Sequence, residues 1–275
     1  MMRILVGVDH APHSNPAVLF GGILAGDLGK PITLLKVIQN ASRQVSAKQI
    51  LAEAVATIHP YTSTVETRIR LGHPAEEIIK EAEEGGYGLV VVGERQHQGF
   101  RTRFLLGSTA ERVIEHAPCP VVVARGQIRP VRSILLCEGV RDDETLVKRF
   151  LQQLPCLLTL VSTITVLHVM SQISTAPNKS GDVLVASVEQ LITRRTSEGR
   201  RLQRDKILLG NAGVNPILKI RRGLVVEEII AEAQTGGHDL VVIGAHQSEG
   251  WRRILLDDIT RHVLVGAGLP VLVVR

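Results

Sequence analysis

The chain has 275 residues, of which 44% are apolar and only 3% aromatic, and it carries a formal charge of +5. That length admits one large or two ordinary domains with full cores, and the composition is that of a compact globular protein, not a disordered one. So small a positive charge, with little aromatic surface for stacking on bases, argues against nucleic acid as a partner. The longest apolar runs, such as LLTLV and VLVV, are too short to span a bilayer, and MMRILVGVD lacks the pattern of a secretory signal. A cytoplasmic protein without membrane contact is expected. Cys119, Cys137 and Cys156 are odd in number and form no CxxC pair, which predicts buried thiols and neither a disulfide framework nor a zinc site.

In chain order, Arg3–Asp9 (RILVGVD) is an apolar run ending in a turn, and Ser14, Asn15 and Pro16 suit the cap and first turn of a helix. Ile32–Ile38 and Val65–Arg70 are the next strand candidates. A helix over Pro74–Glu84 follows, with apolar positions at Ala75, Ile78, Ile79 and Ala82. Leu89–Val92 and Val121–Ala124 supply two more strands around a helix that begins near Ser108. Uninterrupted apolar strands alternating with amphipathic helices predict a parallel sheet covered on both faces.

From residue 133 the same order runs again: Ser133–Cys137, Thr163–Val169, Ile217–Arg221, Val226–Ala233, Leu240–Ile243 and Val271–Val274. Over Gly72–Gly93 against Gly223–Gly244, 13 of 22 positions are identical, too many for shared secondary structure alone. Duplication is the economical explanation. It divides the chain into domains at 1–128 and 129–275, with Gly126–Arg132 as the linker. The second copy carries extra residues between its first and third strands. They include Thr193–Lys206 (TRRTSEGRRLQRDK), with six basic and two acidic residues. This segment reads as a solvated helix face, with contact to an anionic partner as the alternative.

In an open parallel sheet, ligands bind beyond the carboxyl ends of the strands, at loops leading into helix N-termini. Asp9 ends the first strand, where its carboxylate can accept hydrogen bonds from ribose hydroxyls or an adenine amine, or simply cap a turn. Gly93, Gly99 and Gly107, with Ser108 and Thr109, form a loop entering a helix. Glycines let backbone N–H groups approach an anion, and a helix start adds orphan donors and partial positive charge. That combination suits a polyphosphate. Ser108 followed by Glu111 also spells a capping box that needs no ligand.

Through RILVGVD, LLKVI, GHPAEEIIKEAEEGGYGLVVVG, and GST followed by a helix and HAPCPVVVAR, the chain resembles a tandem universal stress protein. The resemblance covers residues 1–125 and, more weakly, 132–275. It implies an α/β fold of two Rossmann-like domains, of adenine nucleotide alpha hydrolase-like type, each a mostly five-stranded parallel sheet with helices on both faces. The family divides into ATP-binding and non-binding kinds, and the binders carry G-x2-G-x9-G-[ST] around the phosphates. Carried over by position, the resemblance puts Asp9 and the backbone of Val37 on the adenosine, Gly7 and Val92 beside it, and Gly93, Gly107, Ser108 and Thr109 around the phosphates. Two departures stand out. Gln96 replaces the second glycine, and one inserted residue leaves Gly93 and Gly107 14 apart instead of 13. Gly99, Arg95 and Arg101 are then candidates to help hold the phosphates.

The second copy departs further. Gly139 falls where Asp9 falls, Gln247 repeats the glycine loss, and Asp257 and Asp258 replace the Gly-Ser pair. Aspartate still caps a helix. Yet like charges about 4 Å apart repel by about 4 kcal/mol at an effective dielectric near 20, close to three decades of affinity, unless a metal such as Mg²⁺ intervenes. His97 and His246 occupy the paired loops without a carboxylate or nucleophile to complete a triad, so no catalytic role and at most slow ATP hydrolysis is expected. The resemblance therefore implies a regulatory protein that binds ATP, with or without Mg²⁺, or a related adenine nucleotide in its first domain. The second domain would serve structure or contact with an unidentified protein partner. The family packs domains through their last strands, so Val121–Ala124 and Val271–Val274 are expected to pair as an intramolecular pseudo-dimer, and a pair of chains to form a further dimer. The alternative is a stress-response scaffold that binds no nucleotide and acts through protein contacts.

Overall fold

The computed structural model describes residues 2–9, 16–94, 106–139, 145–170, 186–247 and 254–275. The first half runs β1 (Ile4–Gly7), α1 (Pro16–Leu28), β2 (Ile32–Ile38), α2 (Gln44–Ile58), β3 (Val65–Leu71), α3 (Pro74–Gly85), β4 (Leu89–Gly93), α4 (Ser108–His116) and β5 (Val121–Ala124). The second runs β6 (Ser133–Glu138), α5 (Leu146–Gln153), β7 (Thr163–Met170), α6 (Val188–Thr193), α7 (Ser197–Asn211), β8 (Ile217–Arg222), α8 (Val225–Thr235), β9 (Leu240–Gly244), β10 (His246–Gln247), β11 (Ile254–Leu255), α9 (Asp258–Gly266) and β12 (Val271–Val274). Pro16 opens α1 as its type predicts; Ser14 and Asn15 lie outside the described residues.

All main strands join one ten-stranded sheet, in the order β3-β2-β1-β4-β5-β12-β9-β6-β7-β8. Within each half the neighbours are parallel, and the halves meet where β5 and β12 run antiparallel, Val123 opposite Val271 and Val121 opposite Val273. This is the pairing expected from the two apolar last strands. Each would otherwise be an uncharged edge open to aggregation, whereas the actual edges, VETRIRL in β3 and ILKIRR in β8, carry charges that discourage further pairing. The apolar residues sort into two layers. Helices α1, α2, α5 and α7 cover one face of the sheet, and α3, α4, α8 and α9 the other.

Helix α2 is held by Ala47, Leu51, Ala54 and Ile58, which recur at helical spacing and are buried together. In α3 the predicted positions Ala75, Ile78 and Ala82 are buried, joined by Glu81. Glu81 is a buried charge, and its partners explain how it is tolerated. Its carboxylate accepts from Arg68 (2.9 Å), Arg70 (2.7 Å) and the Tyr87 hydroxyl (3.0 Å). The second half repeats the device around buried Glu232, with Lys219 at 2.6 Å, Arg221 at 2.8 Å and His238 at 3.3 Å. Burial alone would raise the Glu232 pKa, but the bonds from Lys219, Arg221 and His238 prevail and lower it to about 2. The glycines ahead of α3 and α8 match as well. Gly72 (φ 152°) and Gly223 (φ 149°) occupy backbone that disfavours a side chain, and a Cβ at either would meet Glu77 or Glu228 at 2.8 Å.

Cys119 and Cys137 are buried, whereas Cys156 is only half-buried and packs against Met2; all three are free thiols, and burial pushes that of Cys119 up to about 12. Among the described residues, no helix is long and apolar enough to cross a membrane.

Candidate functional site

Strand β1 lies between β2 and β4, and the helices that follow β1 and β4, α1 and α4, cover opposite faces, which opens a crevice at the carboxyl edge of the sheet. The register brings Gly7 opposite Leu35 and Val6 opposite Val91, which places Gly7, Asp9, Val37, Val92 and Gly93 along that edge. At Gly7 a Cβ would stand 3.2 Å from Ile78 and 3.7 Å from Val92, so the floor of the crevice is already closely packed. The Asp9 side chain is 77% exposed, with Oδ1 3.6 Å from the ammonium of Lys36.

Lys36 is a functional candidate that the sequence pattern alone did not single out. It is the one charge in the apolar strand ITLLKVI, and its side chain is buried beneath the strand ends, donating to the carbonyl of Val8 at 3.2 Å. Burial lowers its pKa, while the charge of Asp9 works the other way. A buried ammonium thus steadies both the turn after β1 and the carboxylate that faces solvent.

Helix α4 begins at the opposite side of the crevice. Its cap is Gly107 in extended conformation, with no side-chain hydrogen bond to the first turn. The capping box expected from Ser108 and Glu111 does not form, because the helix starts one residue earlier than that pattern requires. Ser108 is already its first helical residue, and Glu111 donates its N–H to the Gly107 carbonyl at 3.0 Å. Ser108 is exposed and Thr109 half-buried. Among the described residues, no side chain therefore places an anion at the cap of α4. Nearby charges are paired off. Glu94, just after β4, meets Arg125 at 3.2 Å, and its pKa is raised by burial against the pull of that arginine. Glu111 pairs with Arg261 of α9 across the two halves. Arg95 and Gly99, with Gln96, His97 and Arg101, lie outside the described residues.

In the second half, the same positions are filled differently. Asp257 caps α9, and its Oδ1 accepts from the N–H of Thr260 at 2.7 Å, so a carboxylate sits where an external anion would. Strands β10 and β11 pair as a short antiparallel ladder in the loop before it. At the other side of the crevice, Glu138 stands at the place of Val8 and His168 at that of Lys36. Both are buried. Glu138 accepts from the N–H of Leu146 at 3.4 Å, at the start of α5, and Thr145 accepts from Lys148 at 3.0 Å. Burial, reinforced by the charge of Asp205, pushes Glu138 up to about 7, and burial pushes Asp205 itself up to about 6. Burial also lowers the pKa of His168. Both helix starts on this crevice are thus occupied by the chain's own oxygens. Among the described residues no three His, Cys, Asp or Glu side chains converge as a metal site.

The sequence profile described as "Universal stress protein family" matches residues 1–125 and again 142–275. A universal stress protein of Mycolicibacterium smegmatis is 26% identical over 99% of this chain and 96% of its own length. Universal stress protein YxiE of Bacillus subtilis is 33% identical over 33% of this chain and 52% of its own. Among solved structures, a universal stress protein from Archaeoglobus fulgidus superposes with a TM-score of 0.74 at 18% identity, covering 99% of this chain and 98% of the other. A protein described as a putative universal stress protein from Pseudomonas aeruginosa gives 0.65 at 19% identity, covering 100% and 93%.

Proposed function

The chain belongs to the universal stress protein family, and from that premise we propose that its first domain, residues 1–128, binds ATP or a related adenine nucleotide, while its second, residues 129–275, is a structural or interaction partner. The observation that carries this reading is the start of α4, capped by a glycine without a side-chain bond and facing the crevice that Asp9 closes on its other side. A phosphate chain is the complement of the first feature: first-turn N–H groups, the hydroxyls of Ser108 and Thr109 and the helix dipole all favour negative charge. A ribose or adenine donor is the complement of the second, because the carboxylate of Asp9 is exposed and held in place by Lys36. The backbone of Val37 and the close-packed Gly7 and Val92 line the space between, with Gly93 at the phosphate end. Mg²⁺ would enter with the phosphates, since among the described residues no three carboxylates gather to hold it there. The function is regulatory: a nucleotide-sensing cytoplasmic protein whose bound state is read by a protein partner.

Equilibrium titration of the full chain with ATP, ADP, AMP and a cyclic nucleotide tests this directly. Saturable binding of at least one of them is expected. Its absence for all four would replace the proposal with a scaffold that acts through protein contacts alone.

A further inference from the structure

The two halves carry opposite charge at matching ends of their crevices. In the first, a carboxylate, Asp9, ends the first strand and the helix start at Gly107 is open. In the second, carboxylates close the helix start at Asp257 and Asp258, while arginines gather where the first strand ends. Arg201 of α7 donates to the carbonyl of Gly139, the residue at the place of Asp9, at 3.4 Å. Arg200, Arg201 and Arg204 of α7, with Ser197, line an open groove of about 320 Å³.

A solvated helix face would leave the guanidiniums to water, whereas Arg200 and Arg201 each donate to a backbone carbonyl. Asp205, fully buried and accepting no hydrogen bond among the described residues, has its Oδ1 3.9 Å from Arg204 Nε. Arg200 donates to the carbonyl of Arg195, which adopts φ 51°, in the turn between α6 and α7. That turn is tight. At Gly199 a Cβ would lie 2.1 Å from the carbonyl oxygen of Leu191, so only glycine lets the two helices meet. Strained backbone of this kind persists where surrounding structure over-determines it. Ser197 donates to the Glu198 carboxylate at 2.8 Å.

We infer that the second domain carries an anion site of its own, at the start of α7, which takes the diphosphate group of a small ligand between Arg200, Arg201 and Arg204. Planar guanidinium forks match phosphate oxygens two at a time, and three of them around one groove suit a multivalent oxyanion better than a single carboxylate. The site is distinct from the one proposed at α4 and does not depend on it.

The test uses the full chain bearing Gly107→Asp, which removes the first-domain site, titrated calorimetrically at low and moderate salt with inorganic diphosphate and, in parallel, with ADP. Saturable diphosphate binding that weakens with salt is expected, at least tenfold weaker in Arg200→Gln/Arg204→Gln. Because Arg204 faces the buried Asp205, Arg200→Gln alone serves as the second variant, with a several-fold loss expected and an unchanged melting temperature. Equal affinity for diphosphate and ADP identifies a free phosphate compound as the source, and tighter ADP binding a nucleotide. Absence of saturable binding of either ligand, or equal affinity in the arginine variants, would overturn the inference.

Discussion

Helices α4 and α9 occupy the same place in duplicated halves of one sheet, and they differ at the single residue before the first turn. At α4 that residue is Gly107, which offers no side-chain acceptor; at α9 it is Asp257, whose carboxylate takes the N–H of Thr260 at 2.7 Å. The difference teaches that a helix N-terminus is a binding site only when the chain declines to fill it. An aspartate cap neutralises the helix end internally and stabilises the fold. A glycine cap gives up little of that stabilisation and leaves the donors for a ligand.

The comparison can be broken most severely by giving α4 the cap of α9. Gly107→Asp should weaken ATP binding by two to three decades, because one added carboxylate about 4 Å from a phosphate costs about 4 kcal/mol at an effective dielectric near 20. Titration of the variant checks this; affinity within threefold of wild type would move the phosphates away from α4. The buried networks are where the two copies should behave alike. Glu81→Gln and Glu232→Gln each remove the charge on which two cationic side chains converge, and each should destabilise its half by about 3 kcal/mol in denaturant unfolding. A loss confined to one of them would show that only one copy depends on its network.

A smaller effect is expected from the reverse change at α9. Asp257→Ala should cost about 1 kcal/mol of stability and leave ATP affinity unchanged. A loss of ATP affinity in that variant would place nucleotide in the second half. A further effect reads the second half by pH. Glu138 and Asp205 hold their protons more tightly in the folded chain, at about 7 and about 6, than the ordinary 4.5 and 3.8 of the unfolded one. Their contribution is therefore full below about pH 4 and lost as pH rises towards 7, whereas that of Glu232 is lost as pH falls from about 4.5 towards 2. Urea midpoints measured at pH 5 and pH 7.5 should fall between those values in the wild type, and less so in Glu138→Gln, where the position of Val8 in the first half is imitated by a group that does not titrate. Equal falls in both proteins would contradict it.

Much of this molecule is legible in its sequence, because the strands are uninterrupted apolar runs and the duplication shows the same punctuation twice. The pairing of β5 with β12 is equally readable: two apolar last strands need a partner. What local pattern misses has tertiary causes. Helix α2 carries its buried Ala47, Leu51, Ala54 and Ile58 among polar neighbours and without a strong cap. Lys36 reads as a lone charge in a strand until the fold turns it towards Val8 and Asp9. Asp205 is hidden inside a basic run, and only packing shows that it is buried, with Arg204 beside it. The start of α4 was ambiguous by one residue, since Ser-Thr-Ala-Glu permits the cap at Ser108 as readily as at Gly107.

The most direct test of the contrast between the two helix starts is the stoichiometry of ATP binding to the wild-type chain by equilibrium dialysis. One ATP per chain is predicted, and Asp257→Gly with Asp258→Ser should leave the count at one, because Gly139 still offers no carboxylate to the adenosine. No ATP bound, or a second ATP per chain that persists in Arg200→Gln/Arg204→Gln, would contradict the division of labour between α4 and α9.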